Sequence, residues 1–182
     1  MWPLIWNYKI DEDESVTKTD IILKPIGVIK TSASDDEIRD RRGDFDATVE
    51  IFQDFSDGLE GIDGFSHIFV LTFMHRLPPD QVGHLEVKPR RLLKKGFKPE
   101  ELPLVGVFAT SSPSRPNPIG ISLVTLLRRD GSKLTVRGLD CFDGTPVLDI
   151  KPYKDDYKAN DYGIAAWYHE LMSEAARRAS PS

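Results

Sequence analysis

The stretch FATSSPSRPNPIGISLV, residues Phe108–Val124, places three prolines between two apolar, strand-like sequences. Each proline fixes φ and removes a backbone donor, so residues 111–120 can hold one shape without the hydrogen bonds of a sheet. Interdomain linkers are rarely enclosed this closely by sequences such as VGVFA and ISLVTLL, so the stretch predicts a rigid loop inside one domain. Such a loop either presents Arg115 and Asn117 to a ligand pocket or uses them only to bind neighbouring carbonyls.

Short β-like segments occur on both sides of this loop, separated by turn sequences such as RRDGSK. No amphipathic helix alternates with them, so the pattern favours an antiparallel sheet or a closed barrel over βαβ units. Only YGIAAWYHELMSEAARRA, residues 162–179, has helical periodicity, and its apolar stripe predicts a packing face against the sheet or a second subunit. The predicted strands are residues 21–31, 47–52, 66–74, 104–110, 121–129, 132–140 and 146–150.

The composition is that of a folded globular domain. Of the 182 residues, 40% are hydrophobic and 29% are charged, and we assign residues 21–182 to one domain that follows an acidic N-terminal segment, residues 1–20. The single cysteine, Cys141, excludes an internal disulfide, and no Cys/His cluster has zinc spacing, so we expect no metal. MWPLIWNYKI is too short to cross a bilayer and runs into acidic DEDES, so we expect a cytoplasmic protein without a membrane anchor.

The charge is unevenly distributed along the chain. A formal net charge of −5 argues against indiscriminate attraction to polyanions. VKPRRLLKKGFK, residues 87–98, nevertheless contains six basic residues and no acid. This segment is either a solvated surface or a selective surface for RNA or another anion. The candidate RNA contacts within it are Lys88, Arg90, Arg91, Lys94 and Lys95.

Several common catalytic motifs are missing from the sequence. There is neither a GxGxxG fingerprint nor a Walker loop, so neither a Rossmann dinucleotide site nor a P-loop is indicated. HELMS begins like HExxH but has Ser173 in place of the second histidine. The serines of SSPS lack the GxSxG elbow of a hydrolase nucleophile.

Four sequence blocks, in this order, resemble the TsaA/TrmO family of S-adenosylmethionine-dependent tRNA methyltransferases. They are PIGVIKT, LEGIDGFSHIFVLTFMHR, GVFATSSPSRPNPIGISLV and LDCFDGTPVLDIKPY. The resemblance covers roughly residues 25–168. It implies a mainly β fold, namely a small antiparallel β-barrel with a C-terminal helix and short peripheral helices. It also implies a homodimer that binds S-adenosylmethionine near the subunit interface and methylates N6-threonylcarbamoyladenosine at position 37, in the anticodon region of tRNA.

The resemblance also implies which residues form the site. S-adenosylmethionine needs acceptors for its hydroxyl and amino groups, a partner for its carboxylate and an apolar slot for adenine. Bacterial members often have ATR where this chain has ATS, and the longer ones carry an additional C-terminal domain that we expect this chain to lack. The implied cofactor-binding residues are Asp40, Arg41, Arg42, His75, Arg76, Ser111, Ile121, Asp140, Cys141, Phe142, Asp143 and Gly144.

Methyl transfer to nitrogen needs alignment of the two reactants and an acceptor for the amine proton. DGTPVLDIKPY offers such groups, and we expect Asp143, Lys151 and Tyr153 to line the methyl-acceptor side. A surface ion pair between Asp149 and Lys151 is the alternative.

Two alternatives for the function of the protein stay open. The first is a methyltransferase of the same fold acting on a small molecule or metal-bound cofactor, and the second is a non-catalytic S-adenosylmethionine-binding regulator.

Overall fold

The computed structural model describes residues 21–41 and 45–179, so the acidic segment 1–20 and the predicted cofactor ligand Arg42 lie outside the described residues. The chain divides into two compact units. Within the described residues, the first unit comprises residues 21–73 and 121–153, and the second unit comprises residues 74–120 and 154–179. The second unit is therefore built from one insertion between strands of the first unit and from the C-terminal part of the chain.

Eight strands and two α-helices make up the regular structure of the described residues, together with several short 3-10 helices. In chain order they are β1 (Gly27–Lys30), α1 (Asp35–Arg41), β2 (Asp46–Ile51), β3 (His67–Phe73), β4 (Glu86–Val87), β5 (Val105–Gly106), β6 (Ile119–Asp130), β7 (Lys133–Arg137), β8 (Pro146–Pro152) and α2 (Ala166–Ala179). The 3-10 helices are Gln53–Leu59, Pro79–Gln81, Arg90–Lys95, Pro99–Glu101, Val107–Ala109 and Asp155–Tyr157.

Six strands close into a barrel in the order β1-β2-β7-β6-β3-β8, with β8 pairing back onto β1. The five pairings with a resolved register are all antiparallel. The mainly β prediction, with an antiparallel barrel and a C-terminal helix, is confirmed. Register shifts between Leu71 and Thr72 and between Leu126 and Arg128 mark bulges, which bend strands as closure of a small barrel requires.

Alternating side chains fill the barrel interior. The burial pattern of β3 alternates strictly along HIFVLTF, with Ile68, Val70 and Thr72 buried. Leu134 and Val136 of β7 are fully buried in the same core. Strand side chains point to opposite faces in turn, so the structure alternates in burial although the sequence HIFVLTF is apolar on both faces.

The outer surface of the barrel is charged on one side and apolar on another. On β2 and β7 it carries cross-strand ion pairs, Lys133 Nζ to Glu50 Oε1 at 3.7 Å and Arg137 Nε to Asp46 Oδ1 at 2.7 Å. On β6 it carries large apolar side chains instead, which are exposed by 41 to 67%. We call Ile121, Leu123 and Leu127 the apolar face of β6.

Three details differ from the sequence-based expectation. Strand β1 begins at Gly27 rather than at residue 21, after a proline that has no N–H to pair. The expected strand 104–110 shrinks to the two residues of β5, because Thr110 donates its N–H and hydroxyl to the Val107 carbonyl and turns the chain. Helix α1 was not predicted, although Ser34 and Glu37 form a capping box at its start, visible as SDDE.

In the second unit, α2 packs on the basic segment. Ala175 is buried in a cluster with Leu92, Phe97 and Leu102, and Leu171 and Met172 pack against it. The sequence predicted a packing face on this helix but named the sheet or a second subunit as its partner. The observed contact joins the helix to Leu92 and Phe97 of the segment 87–98, which the sequence had singled out only for its charge, and to Leu102.

Candidate functional site

The loop that follows β7 is bound to β1 by backbone hydrogen bonds. The Gly144 N–H donates to the Ile29 carbonyl at 2.9 Å, and the Ile29 N–H donates to Thr145 O at 2.9 Å. The Thr145 N–H closes the turn onto the Phe142 carbonyl at 3.1 Å. Gly144 has φ of 77°, a left-handed conformation that glycine adopts without strain. The predicted segment 140–144 is therefore a tight turn with a defined shape at one end of the barrel.

Asp143 extends this attachment beyond the end of β1. Its Oδ1 accepts a hydrogen bond from the Thr31 N–H at 3.1 Å. The Thr31 hydroxyl oxygen in turn accepts the Ala33 N–H at 3.1 Å, two residues before α1 begins. The carboxylate thus connects the 140–144 turn to the chain between β1 and α1, and it is exposed to solvent.

Helix α1 brings a cation to the same turn. The Arg39 guanidinium carbon lies 5.1 Å from the centre of the Phe142 ring, within the range of a cation–π contact. Arg39 also pairs with Asp35 at 3.8 Å and with Asp36 at 3.2 Å. The resemblance implied Asp40 and Arg41 on this helix, of which Asp40 is exposed. It missed Arg39, which the helical spacing from the Ser34 cap would have placed on the helix.

Cys141 forms an apolar part of the turn rather than a reactive group. Its Sγ lies 3.7 Å from the hydroxyl oxygen of the buried Thr72. The pKa of the Cys141 thiol is raised to about 11, chiefly by burial and to a smaller extent by the charge of Asp140, although the hydrogen bond with Thr72 lowers it. The thiol is therefore neutral at physiological pH, and nucleophilic chemistry, which requires a thiolate, is disfavoured. Asp140 itself is exposed beside it.

Ile121 lies at the same end of the barrel. Thr125 of β6 pairs with Arg137, the last residue of β7, so β6 continues past the end of β7. Ile121 is 67% exposed on this extension. The predicted residues 140–144, Ile121 and α1 thus lie at the same end of the barrel in the first unit.

The remaining cofactor-binding candidates belong to the second unit. Ser111 and Arg76 are exposed there. Desolvation, and to a smaller extent the neighbouring charge of Arg76, lower the pKa of His75, which favours the neutral imidazole.

The proline loop is held in shape by Arg115. Its Nε donates to the Ser112 carbonyl at 2.8 Å, and one terminal nitrogen donates to the carbonyls of Thr110 and of Val107. Of the two roles considered for this arginine, the structure shows the internal one. A guanidinium that bridges three carbonyls replaces the backbone pairing that the prolines remove.

Asp143, Lys151 and Tyr153 are not brought together within the first unit. Lys151 Nζ pairs with Asp149 Oδ2 at 2.9 Å, and both side chains are about half exposed. The Tyr153 ring lies edge-on to Phe69, with centroids 5.7 Å apart. Asp143 precedes β8, whereas the other two lie near its far end, and five residues of strand span about 17 Å.

Neither a metal centre nor a membrane span is found in the part of the chain that the structure describes. Among residues 21–41 and 45–179, no group of three or more His, Cys, Asp or Glu side chains is arranged to hold a metal ion. In the same ranges, no helix has the length and apolar character needed to cross a membrane.

The chemistry of the turn suits a small ligand with both polar and flat apolar parts. Asp140 and Asp143 offer carboxylate acceptors for hydroxyl or ammonium donors. Phe142, Cys141 and Ile121 offer apolar surface, and Arg39 offers a cation for a carboxylate. Binding sites for small molecules typically combine apolar surface with a few placed polar groups.

Comparisons with known proteins identify relatives of the chain. Residues 39–159 match the family model described as the tRNA-methyltransferase O N-terminal domain. A probable S-adenosyl-L-methionine-binding protein of Pyrococcus abyssi is 40% identical over 151 residues, which is 81% of this chain and 76% of that protein. The tRNA (adenine(37)-N6)-methyltransferase of Mus musculus is 39% identical over 130 residues, or 69% of this chain.

A solved structure agrees with the sequence matches. The crystal structure of TrmO from Pseudomonas aeruginosa superposes with a TM-score of 0.56 at 30% identity, covering 77% of this chain and 60% of that one. The chain therefore spans about three fifths of the solved protein, and it spans 27% of the mouse enzyme. The region that matches the family model, residues 39–159, contains the end of α1, the 140–144 turn and every barrel strand except β1.

Proposed function

Because this chain belongs to the family of the tRNA-methyltransferase O N-terminal domain, we propose that it binds S-adenosyl-L-methionine and transfers the methyl group to an adenine amine of tRNA. The observation that carries this proposal is the 140–144 turn. It lies in the matched region and is bound to β1 through Gly144 and to Thr31, between β1 and α1, through Asp143. A turn attached on two sides is pre-organised, so little ordering opposes ligand binding.

The groups of the turn fit the proposed cofactor. Asp140 accepts hydrogen bonds from ribose hydroxyls or from the ammonium group, and Arg39 binds the carboxylate. Phe142 and the neutral thiol of Cys141 provide apolar surface for adenine. When bound, the cofactor would supply a methyl group on a positively charged sulfonium. The leaving group is then a neutral thioether, which needs no general acid. The protein's own contribution is to orient the acceptor amine, to exclude water and to accept a proton.

The acceptor in this proposal is threonylcarbamoyladenosine at tRNA position 37. Asp143 lies in the turn itself, so its carboxylate is our first candidate for accepting the amine proton. Lys151 and Tyr153 keep their predicted role on the acceptor side only if the acceptor extends along the outer face of β8. The ion pair of Lys151 with Asp149 argues for the surface alternative.

Three further features belong to this proposal. The basic residues of segment 88–98 contact the phosphate backbone of tRNA, because the segment concentrates positive charge in an acidic protein. The apolar face of β6 is buried against a second copy of the chain, since large exposed apolar side chains on a regular strand favour association. The proposal also includes a cytoplasmic location, with which a tRNA substrate is consistent.

Methyl transfer to tRNA tests the proposal directly. Purified protein, labelled S-adenosyl-L-methionine and total tRNA, with and without prior threonylcarbamoylation, are incubated, and the nucleosides are separated by mass spectrometry. We expect methyl only on threonylcarbamoyladenosine, and we expect Asp143→Asn to lower turnover while leaving cofactor binding measurable. Label on unmodified adenosine would overturn the threonylcarbamoyl specificity. The absence of label from every nucleoside would overturn the enzyme assignment.

A second candidate function is cofactor binding without methyl transfer. The Pyrococcus abyssi relative, most of whose length the chain covers, is named for binding alone. The separation of Asp143 from Lys151 and Tyr153 favours the same candidate. Calorimetry with S-adenosyl-L-methionine, combined with an assay for S-adenosylhomocysteine, distinguishes the two functions, because both require binding and only the enzyme forms that product.

A further inference from the structure

Arg178, near the end of α2, binds four different groups at once. Its Nε donates to Glu174 Oε1 at 2.8 Å, and its two terminal nitrogens donate to Glu101 Oε1 at 2.9 Å and Oε2 at 3.2 Å. One of those nitrogens also donates to the Gly96 carbonyl at 2.9 Å. The guanidinium carbon lies 4.0 Å from the centre of the Phe97 ring. We call this arrangement the Arg178 clamp.

The clamp holds the end of the 3-10 helix Arg90–Lys95. Gly96 ends that helix in a left-handed conformation with φ of 81°, and its N–H donates to the carbonyls of Leu92 and Leu93. The next residue, Phe97, is buried under the guanidinium. Glu101 also accepts the Lys98 N–H, so the same carboxylate fixes the chain that leaves the basic segment. Arg178 thus makes the polar contacts between α2 and the end of this short helix, beside the apolar packing of Ala175.

The 3-10 helix Arg90–Lys95 carries basic side chains that are exposed to solvent. Arg90, Lys94 and Lys95 are exposed, and Leu92 points into the cluster with Ala175. Lys88 donates to the Pro99 carbonyl at 2.9 Å, which brings the two ends of the segment together. An isolated 3-10 turn is a weak structure, so the direction of these cations depends on their attachment.

Arg177 provides an internal comparison. It bears the same charge, neighbours Arg178 and also binds Glu174, at 2.6 and 2.9 Å. It is 72% exposed, whereas Arg178 is 28% exposed. These contacts of Arg177 stay within α2, and those of Arg178 extend to residues 96, 97 and 101.

We propose that Arg178 is a positioning residue for RNA binding, because its clamp fixes the 3-10 helix Arg90–Lys95 so that the exposed cations face a phosphate backbone. This inference rests on the proposed function, in which the basic segment contacts tRNA. It adds that α2 takes part in substrate binding without contacting the substrate. The charge complementarity is local, since residues 87–98 contain no acid in a chain of net charge −5.

Binding of labelled tRNA is measured by fluorescence anisotropy over a series of KCl concentrations, with the full chain and its variants. We expect Arg178→Ala and Arg178→Lys to weaken binding about tenfold, because lysine keeps the charge and loses the planar fork. We expect Arg177→Ala to stay within about twofold of the parent. The slope of log K against log salt should become less steep for the Arg178 variants, as expected when phosphate contacts are lost.

Glu101→Gln is the decisive variant. It removes a negative charge beside the basic segment, so simple electrostatics predicts tighter RNA binding. The clamp predicts weaker binding, because the bidentate partner of Arg178 is lost. Tighter binding by Glu101→Gln, parent-like binding by Arg178→Lys, or equal losses for the Arg177 and Arg178 alanine variants would each overturn the proposal.

Two controls separate this proposal from the proposed function. The circular dichroism spectrum and the affinity for S-adenosyl-L-methionine should be unchanged in every variant. If Arg178→Ala does not fold, Arg178→Lys and Glu101→Gln still test the proposal. If the parent protein binds no tRNA at any salt concentration, both the positioning role and the tRNA substrate are overturned. If the parent protein binds tRNA and the Arg178 variants match it, only the positioning role is overturned.

Discussion

The two units are held together by different kinds of interaction. In the barrel, a cluster of thirteen buried apolar residues joins all six strands. In the second unit, the described cluster has four buried residues, and the Arg178 clamp lies directly over one of them. The barrel therefore depends on apolar burial, and the second unit depends in addition on charge, hydrogen bonding and a cation–π contact. Added salt and low pH should therefore lower the stability of the second unit more than that of the barrel, because apolar burial involves no ionised group that salt can screen or a proton can neutralise.

The largest effect should come from the barrel core. Leu134 is fully buried and contributes to the main cluster, so Leu134→Ala should lower the free energy of unfolding by about 2–5 kcal/mol. Urea denaturation followed by circular dichroism measures the change. The matched control is Leu104→Ala, because Leu104 is 58% exposed in the second unit and should stay within about 0.5 kcal/mol. Similar losses for the two variants would remove the contrast between the units.

A smaller effect should come from the turn that carries the candidate site. Gly144 has a positive φ and open space where a Cβ would lie, so Gly144→Ala costs conformational strain of about 1 kcal/mol without a clash. The same substitution at Gly106, which has no positive φ and equally open surroundings, should be neutral or slightly stabilising. Cofactor binding by calorimetry should weaken for Gly144→Ala alone. Equal affinities for both variants would argue that the turn does not contact the cofactor.

Lowering the pH should have the smallest effect on overall stability. This effect should be confined to the second unit, where Glu101 and Glu174 become protonated. Hydrogen bonds from Arg178 and from the Lys98 backbone hold the pKa of Glu101 at about 2, below its usual 4.5. Arg178 and Arg177 also lower the pKa of Glu174. Both folded-state pKa values lie below the unfolded ones, so the stabilisation is complete above about pH 4.5 and is lost as the pH falls towards 2.

Amide chemical shifts of α2, followed by NMR over that pH range, measure this effect. They should move before those of the barrel strands, and added salt should shift the transition to higher pH. Glu101→Gln is the control, because it should remove most of the transition. If α2 and the barrel strands respond together, the clamp does not stabilise the second unit separately.

The individual strands could be predicted from the sequence because their signals are local, whereas their closure into a barrel followed from the family resemblance. The β-like segment SHIFVLTFM and the turn sequence RRDGSK determine strand and turn within a few residues. The end of the predicted strand 104–110 could not be anticipated, because Thr110 and Arg115 redirect the chain through hydrogen bonds to the Val107 carbonyl. Propensity alone cannot show such competition between side chains and backbone.

The site was predictable only in part. The 140–144 turn followed from the family resemblance, and its attachment to Ile29 and Thr31 is consistent with a binding role. Arg39 was not assigned to the site, because the resemblance named only its neighbours Asp40, Arg41 and Arg42, and its contact with Phe142 depends on α1, which was not predicted. The partnership of Arg178 with Glu101 joins residues 77 positions apart, and no periodicity along the chain reports such a contact. Lys151 and Tyr153 were grouped with Asp143 because they are close in sequence, but an extended strand separates them.

The order of the strands has a consequence for synthesis on the ribosome. β1 pairs with β8, and β2 pairs with β7, so the earliest strands have partners that are translated last. The whole insertion of residues 74–120 is made before any of these partners is available. Until then the apolar faces of the first three strands have no complete core to bury them, and exposed strands of this kind are prone to aggregate. Closure of the barrel is therefore a late, non-local step, and its slow rate gives chaperones a defined interval in which to act.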